Sequence, residues 1–131
     1  MVTPRYHRLG LYARFHRCNI TGEEVVDFLR RLLRQIRGPI DLLWDGGPIH
    51  RRRSVQEYLR ACAPRLTAHR FPAYAPELNP DEFVWTQSKQ RLANLAAVNV
   101  WELERYARRA IRRIGRSQAL LRACIAQSEL P

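Results

Sequence analysis

Residues 9–44 constrain the fold most, because a strand pattern, a helix pattern and a second strand pattern follow one another there. Apolar side chains alternate along LGLYARFH, residues 9–16, which predicts a strand with one buried face. Thr21 and Glu24 form a capping box before a segment whose apolar residues recur at helical spacing. The run IDLLW, residues 40–44, predicts a short buried strand. A strand, a crossover helix and a strand together predict an α/β or α+β sheet, and we favour the α/β class.

Downstream, the pattern predicts two further helical regions and one more strand. Ser54 and Glu57 repeat the capping-box spacing before a short helix, and RLTAHRF, residues 65–71, predicts a third strand. A stiff extended loop follows, because prolines at regular spacing exclude a helix interior and a central strand; these are Pro72, Pro76 and Pro80. Asn79 is the expected N-cap of the next helix, which runs to residue 95.

The last segment, residues 99–127, is predicted to be helical and basic, with Gly115 as the point where it divides. Its expected inward-facing residues are Leu103, Tyr106, Ala107, Ala110, Ile111 and Ile114, and its expected outward-facing residues are Arg105, Arg108, Arg109, Arg112, Arg113 and Arg116. The 131 residues have the size of a single domain, which we place at residues 1–131.

The chain carries a formal charge of +11, almost all of it on arginine, since Lys89 is the only lysine. Guanidinium groups suit bidentate phosphate contacts, so nucleic acid is the first partner to expect, although codon bias in a GC-rich genome would also enrich arginine. The three cysteines are far apart and form no C-x-x-C pair, which argues against a disulfide framework or a zinc site. No segment has the apolar length of a membrane span or a signal peptide, so we expect a cytoplasmic protein without membrane contact.

Two acids stand at the ends of rigid elements. Asp45 follows the strand at residues 40–44, where ligands of α/β sheets usually bind, and Glu82 lies in the first turn of the helix after the proline loop. Two-metal phosphoryl transfer needs carboxylates that converge from separate elements. In a basic chain, this pair indicates a candidate site for chemistry on nucleic acid.

The segments LLWDGGPIHRRRSVQEYLR and RFPAYAPELNPDEFVWTQSKQRL resemble the second and third catalytic blocks of the DDE superfamily transposases, specifically the mariner-like insertion-sequence group. The resemblance covers residues 9–95. Its most specific part is formed by Tyr74, Pro76, Leu78, Asn79, Pro80, Glu82 and Trp85. This sequence departs from the family pattern at Gly46, where asparagine is common, and at Phe71, where leucine is common.

The resemblance implies a ribonuclease-H-like, retroviral-integrase-like fold and a transposase that cleaves and joins DNA strands. Asp45 and Glu82 would be the second and third members of the triad that binds two Mg²⁺ or Mn²⁺ ions. The nucleophile would be water in strand cleavage and a DNA 3′-hydroxyl in strand transfer. The implied partners are transposon ends, target DNA and a second copy of the protein in the active complex. A location at the bacterial nucleoid would follow.

The residues themselves leave structural alternatives open. Glu82 could serve only as half of a helix cap, and Asp45 could serve only to form a turn. His50 either orients that turn or contacts DNA. The arginine run at residues 51–53 either positions phosphates or is a solvated charged face, and Lys89 is a candidate phosphate contact. The other DNA contacts predicted are Arg108, Arg112 and Arg113. Tyr74 and Trp85 could stack on bases but are more often core anchors.

The family's first catalytic aspartate is expected upstream of residue 9, on the first strand of the fold, so we expect an incomplete sheet that lacks the first one or two strands. Asp27 lies within the crossover helix and Asp41 at the wrong end of its strand, so both are poor substitutes. Three interpretations follow. The chain is the C-terminal half of a transposase completed by an upstream polypeptide, inactive alone; or a decayed remnant; or a basic module that binds DNA without catalysis.

Overall fold

The computed structural model describes residues 2–5, 8–73, 75–93 and 99–128, with residues 2–5 described as backbone only. Tyr74 and residues 94–98 lie outside the described residues. The elements, in chain order, are β1 (Val2–Arg5), β2 (Arg8–Leu11), α1 (Gly22–Gln35), β3 (Ile40–Trp44), α2 (Arg53–Cys62), β4 (Leu66–Arg70), α3 (Pro80–Ala93), α4 (Val100–Arg116) and α5 (Gln118–Gln127), with 3₁₀ turns at Pro48–Arg51 and Pro76–Leu78.

These elements form two compact units. The strand–helix unit is His16–Ala75, and the helical unit combines Met1–Phe15 with Pro76–Pro131. A small parallel sheet with flanking helices makes the chain compatible with the predicted α/β class.

In the strand–helix unit, β3 and β4 form a parallel pair whose register runs from Ile40 opposite Leu66 to Trp44 opposite Arg70. The predicted strand at residues 40–44 is therefore confirmed, but its predicted burial is correct only for Leu42, since Leu43 is 49% exposed. The apolar residues buried in this unit are Leu29, Leu32, Leu33, Leu42, Val55, Leu66 and Phe71. These residues come from both strands and both helices, and Phe71 directly follows β4.

Side-chain hydrogen bonds cap both ends of helix α1. Both halves of the predicted capping box between Thr21 and Glu24 are present. At the other end, the guanidinium of Arg65 donates hydrogen bonds to the carbonyls of Leu33 and Ile36. Because the last carbonyls of a helix have no partner within it, Arg65 supplies the missing donors.

The predicted capping box of Ser54 and Glu57 is wrong. Helix α2 begins at Arg53, so Ser54 already lies within the helix, and the N-cap Arg52 makes no side-chain capping bond. Glu57 instead accepts a hydrogen bond of 2.6 Å from Nε of Arg53. The Glu57 carboxylate, predicted to cap the helix, therefore forms an i, i+4 ion pair on the exposed face of α2 instead.

In the helical unit, β1 and β2 form an antiparallel pair beside three helices. The buried cluster is Val84, Ile114, Leu121 and Cys124, with Leu9, Leu11, Phe83, Ile111 and Leu120 packed against it. The amide of Gln118 both donates to the Leu9 carbonyl and accepts from its N–H, each at 2.8 Å. This side chain therefore satisfies backbone groups of β2 that would otherwise need a strand partner.

Three predictions for this unit need correction. The strand expected over residues 9–16 stops at Leu11, and the Phe15 ring contacts the Arg108 guanidinium instead of continuing a strand face. The helical segment divides at Ser117, which caps α5 through its side chain, rather than at Gly115. Leu103, expected to face inward, is 47% exposed.

Candidate functional site

Asp45 lies directly after the last residue of β3. Its Oδ1 accepts a hydrogen bond of 2.9 Å from the backbone N–H of Gly47. A Cβ on Gly47 would lie 2.9 Å from that same oxygen, so glycine permits this tight turn. The turn-forming role that the sequence left open is therefore real, and it uses one carboxylate oxygen. The side chain is 65% exposed.

His50 fixes the same carboxylate from the other side. Its Nδ1 lies 2.9 Å from Oδ1 of Asp45 and 3.1 Å from the Asp45 carbonyl oxygen. The imidazole stacks on Trp44, with ring centroids 4.2 Å apart and planes 8° from parallel. Among the described residues, no group donates to the second oxygen, Oδ2. The turn thus holds Asp45 by Oδ1 and presents Oδ2 to solvent.

An open cavity of about 510 Å³ adjoins this turn on the same unit. Its wall contains three guanidinium groups, those of Arg51, Arg60 and Arg70, beside the single carboxylate of Asp45. The Arg70 guanidinium lies so close to Gly46 that a Cβ there would clash with it. Gly46, where the family commonly has asparagine, therefore leaves the space that Arg70 occupies.

Glu82 lies in the helical unit, in the first turn of α3. Oδ1 of Asn79 accepts a hydrogen bond of 3.1 Å from the Asp81 N–H, as expected for an N-cap. The Asn79 N–H donates to the Pro76 carbonyl at 3.0 Å, so it does not need the Glu82 carboxylate. Glu82 is exposed, and its carboxylate makes no hydrogen bond or ion pair with any residue the structure describes. The capping alternative for Glu82 is therefore not realised.

The predicted DNA contacts fall into two groups. His50, Arg53 and Arg108 have intramolecular partners. His50 contacts Asp45, Arg53 pairs with Glu57, and Nε of Arg108 lies 2.8 Å from Glu104 while its guanidinium covers the Phe15 ring. The second group has exposed side chains that form no ion pair within the described ranges; it comprises Arg51, Arg52, Lys89, Arg112 and Arg113. These five cations remain available to a polyanion.

The other acids that could replace the family's first aspartate are engaged. Asp27 pairs with Arg31 in α1 at 3.2 Å, and Asp41 pairs with His69 across the strands at 2.9 Å. Asp41 also stands four residues before Asp45 on β3, which corresponds to roughly 13 Å along a strand. In the parts of the chain that the structure describes, no three His, Cys, Asp or Glu side chains cluster closely enough to hold a metal ion.

A comparison with protein-family models matches residues 7–104 to the family described as DDE superfamily endonuclease, which covers more than half of the chain. The chain belongs to the DDE superfamily endonucleases. This membership implies the ribonuclease-H-like fold, a transposase-like nuclease function and a DNA substrate, and such endonucleases typically use divalent metal ions. Comparisons with curated proteins and with solved structures found no significant match. Within the described residues, no helix is long and apolar enough to span a bilayer.

The sequence patterns did not indicate two residues that contact the Asp45 turn. The strand pattern explains Trp44 only as part of a buried strand, but its ring holds His50 in place. The pattern explains Arg70 only as part of the third strand, and its neighbour Gly46 lies 24 positions earlier in the sequence. Only the parallel register, which sets Trp44 opposite Arg70, could have indicated the second contact.

Proposed function

We propose that the chain is the C-terminal part of the catalytic domain of a mariner-like insertion-sequence transposase, spanning residues 1–131, and that it performs DNA strand cleavage and strand transfer. Asp45 and Glu82 would supply two of its three acidic metal ligands. The observation that carries this proposal is that both acids, each within the family match, keep a carboxylate oxygen free of hydrogen bonds from the described residues. An exposed carboxylate oxygen without a hydrogen-bond donor from the protein can coordinate a metal ion directly.

The donor set fits Mg²⁺ or Mn²⁺. Both ions prefer hard oxygen ligands, and Mg²⁺ keeps several waters, so solvent-facing carboxylates suit it. Bound at these acids, the ions would lower the pKa of the attacking hydroxyl and stabilise charge on the scissile phosphate. The chain's own residues provide the placement: the Gly47 N–H and His50 orient Asp45, and the proline loop and Asn79 cap orient Glu82. His50 thus acts as a positioning residue for Asp45.

A third acid completes the triad in this proposal, and an upstream transposase polypeptide would supply it. Asp27 and Asp41 do not suit this role, because Asp27 lies within α1 and Asp41 lies near the start of β3, at the opposite end of that strand from Asp45. Transposition also joins two DNA ends, which favours an assembly of at least two copies of the active complex.

The exposed cations of the chain would hold DNA along its phosphate backbone. Arg112 and Arg113 lie on α4, Lys89 lies on α3, two turns after Glu82, and Arg51 and Arg52 follow the Asp45 turn. Phosphate contacts of this kind position DNA without reading its sequence. Arg108 contributes less, because Glu104 already neutralises it.

The test is Mg²⁺-dependent cleavage of a transposon-end duplex by the chain combined with the upstream polypeptide. Asp45→Ala and Glu82→Ala should each reduce the cleavage rate at least about a hundredfold while DNA affinity changes less than about twofold. Asp41→Ala is the matched control, since it removes an exposed carboxylate from the same strand and should cleave normally. Normal cleavage by Asp45→Ala or Glu82→Ala would refute the proposed ligands.

A second candidate function is a DNA-binding module without catalysis, favoured by the unpaired Arg112 and Arg113 on α4 in the described part of the chain. In that case, changing these arginines to alanine should weaken DNA binding and flatten its salt dependence. The acids would then have no effect on any activity of the complex.

A further inference from the structure

More basic than acidic side chains line the cavity beside Asp45. Arg51, Arg60 and Arg70 line it together with one carboxylate, so its lining carries a net positive charge. None of these arginines forms an ion pair with a residue the structure describes; Nε of Arg60 donates only to the Gln56 carbonyl, at 3.3 Å. Leu59 and Leu66 also line the cavity. Guanidinium donors together with apolar side chains suit a phosphodiester with its attached sugar.

Arg70 differs from a freely moving surface arginine. It stands at the end of β4, opposite Trp44, and its guanidinium occupies the place where a side chain on Gly46 would lie. The absence of that side chain therefore brings a planar, permanently charged group next to the Asp45 turn. Since Gly46 directly follows Asp45, the positive group and the carboxylate face the same volume.

We propose that this cavity is a phosphate-binding subsite in which Arg70, with Arg60, holds the DNA backbone beside the Asp45 carboxylate. The proposal rests on the proposed function in taking the phosphate to belong to DNA. Asp45 alone would repel a phosphate, but three guanidinium groups outweigh one carboxylate whose Oδ1 already accepts a hydrogen bond from a backbone N–H. Arg70 is thus a substrate-positioning residue.

The pairing of Gly46 and Arg70 provides a double-mutant test. Gly46→Ala should push the guanidinium out of its place at little cost to folding, because the clashing atoms are the far end of a flexible side chain. Both Gly46→Ala and Arg70→Ala are expected to weaken DNA binding about five- to tenfold. In the Arg70→Ala background, Gly46→Ala should have no further effect, because the displaced group is already absent.

The measurement is the fluorescence anisotropy of a short fluorescein-labelled DNA duplex, titrated with the full chain in EDTA at several salt concentrations. Arg70→Ala and Arg60→Ala should each lower the slope of log affinity against log salt by about 0.9 for every phosphate that the variant no longer neutralises. Arg37→Ala, an exposed arginine of the same unit outside the cavity, is the matched control and should change affinity less than about twofold. Thermal unfolding followed by circular dichroism verifies that each variant is folded.

The outcomes separate this proposal from the nuclease function. If Arg70→Ala binds DNA like the unchanged chain, or if the effects of Gly46→Ala and Arg70→Ala simply add, the subsite is refuted, whatever the acids do in cleavage. If Arg70→Ala weakens binding while Asp45→Ala leaves cleavage intact, the subsite is supported and the metal-ligand assignment fails. Because the titration contains EDTA, neither result depends on a bound metal ion.

Discussion

Removing the His50 side chain tests whether the turn positions the Asp45 carboxylate. His50→Ala deletes the Nδ1 contact to Oδ1 at 2.9 Å and the ring stacked on Trp44. A hydrogen bond to a charged group contributes about 1.5–3 kcal/mol, and because the Asp45 side chain is 65% exposed, we take about 1 kcal/mol. Loss of that energy lowers the population of the Asp45 carboxylate in its bonded orientation about fivefold. The cleavage rate of the complex should therefore fall about fivefold.

Two substitutions distinguish positioning from a general loss of packing. The amide nitrogen of asparagine can occupy the place of Nδ1, so His50→Asn should recover most of the rate, whereas His50→Gln places its donor one bond further out and should not. The assay is single-turnover cleavage at several Mg²⁺ concentrations, with urea unfolding of each variant measured in parallel. Equal impairment of the asparagine and alanine variants, or no effect of His50→Ala, would refute the positioning role.

Three further predictions concern stability and reactivity. Arg65→Ala should destabilise the fold by about 1–2 kcal/mol in urea unfolding, since it removes donors from two carbonyls of α1, and Arg37→Ala should change it by less than about 0.5 kcal/mol. Hydrogen bonds from Thr21 lower the pKa values of Glu23 and Glu24 below 4.5. The two ionised carboxylates therefore stabilise the folded state above pH 4.5, and this stabilisation is lost as pH falls through the lowered pKa values. Thr21→Ala should reduce this acid dependence of the unfolding free energy, and an unchanged pH profile would contradict it. Burial raises the pKa of the Cys124 thiol, so mass spectrometry should show iodoacetamide modifying exposed Cys18 well before Cys124 at pH 8.

The elements that the sequence predicted well are those in which local and tertiary preferences agree. The bounds of β3 match its apolar run, within which Leu42 is buried. In α1, the Glu24 carboxylate accepts from its N-cap N–H at 2.7 Å, as the pattern requires. The capping box of Ser54 fails because Arg53 offers Glu57 a direct charged partner. Local patterns therefore predict an element only where no neighbouring side chain competes for the same groups.

The candidate site could be predicted only in part for the same reason. Asp45 and Glu82 could be identified because each stands at the end of a regular element within a family motif. The stacking of His50 on Trp44 and the packing of Arg70 on Gly46 depend on the turn conformation and on the strand register. Neither contact produces a repeating pattern of residue types in the sequence, so an analysis of such patterns could not predict it.

The proposed function requires Asp45 and Glu82 to bind the same pair of metal ions. The most direct measurement replaces Mg²⁺ with Fe²⁺ in the complex of the chain with the upstream polypeptide, adds ascorbate and peroxide, and maps by mass spectrometry where the backbone is cut. If the two acids share the ions, cuts appear near both Asp45 and Glu82, are suppressed by excess Mg²⁺ and are lost from both places in Asp45→Ala. Cuts near only one of the two acids, or cuts that Mg²⁺ does not suppress, would contradict it.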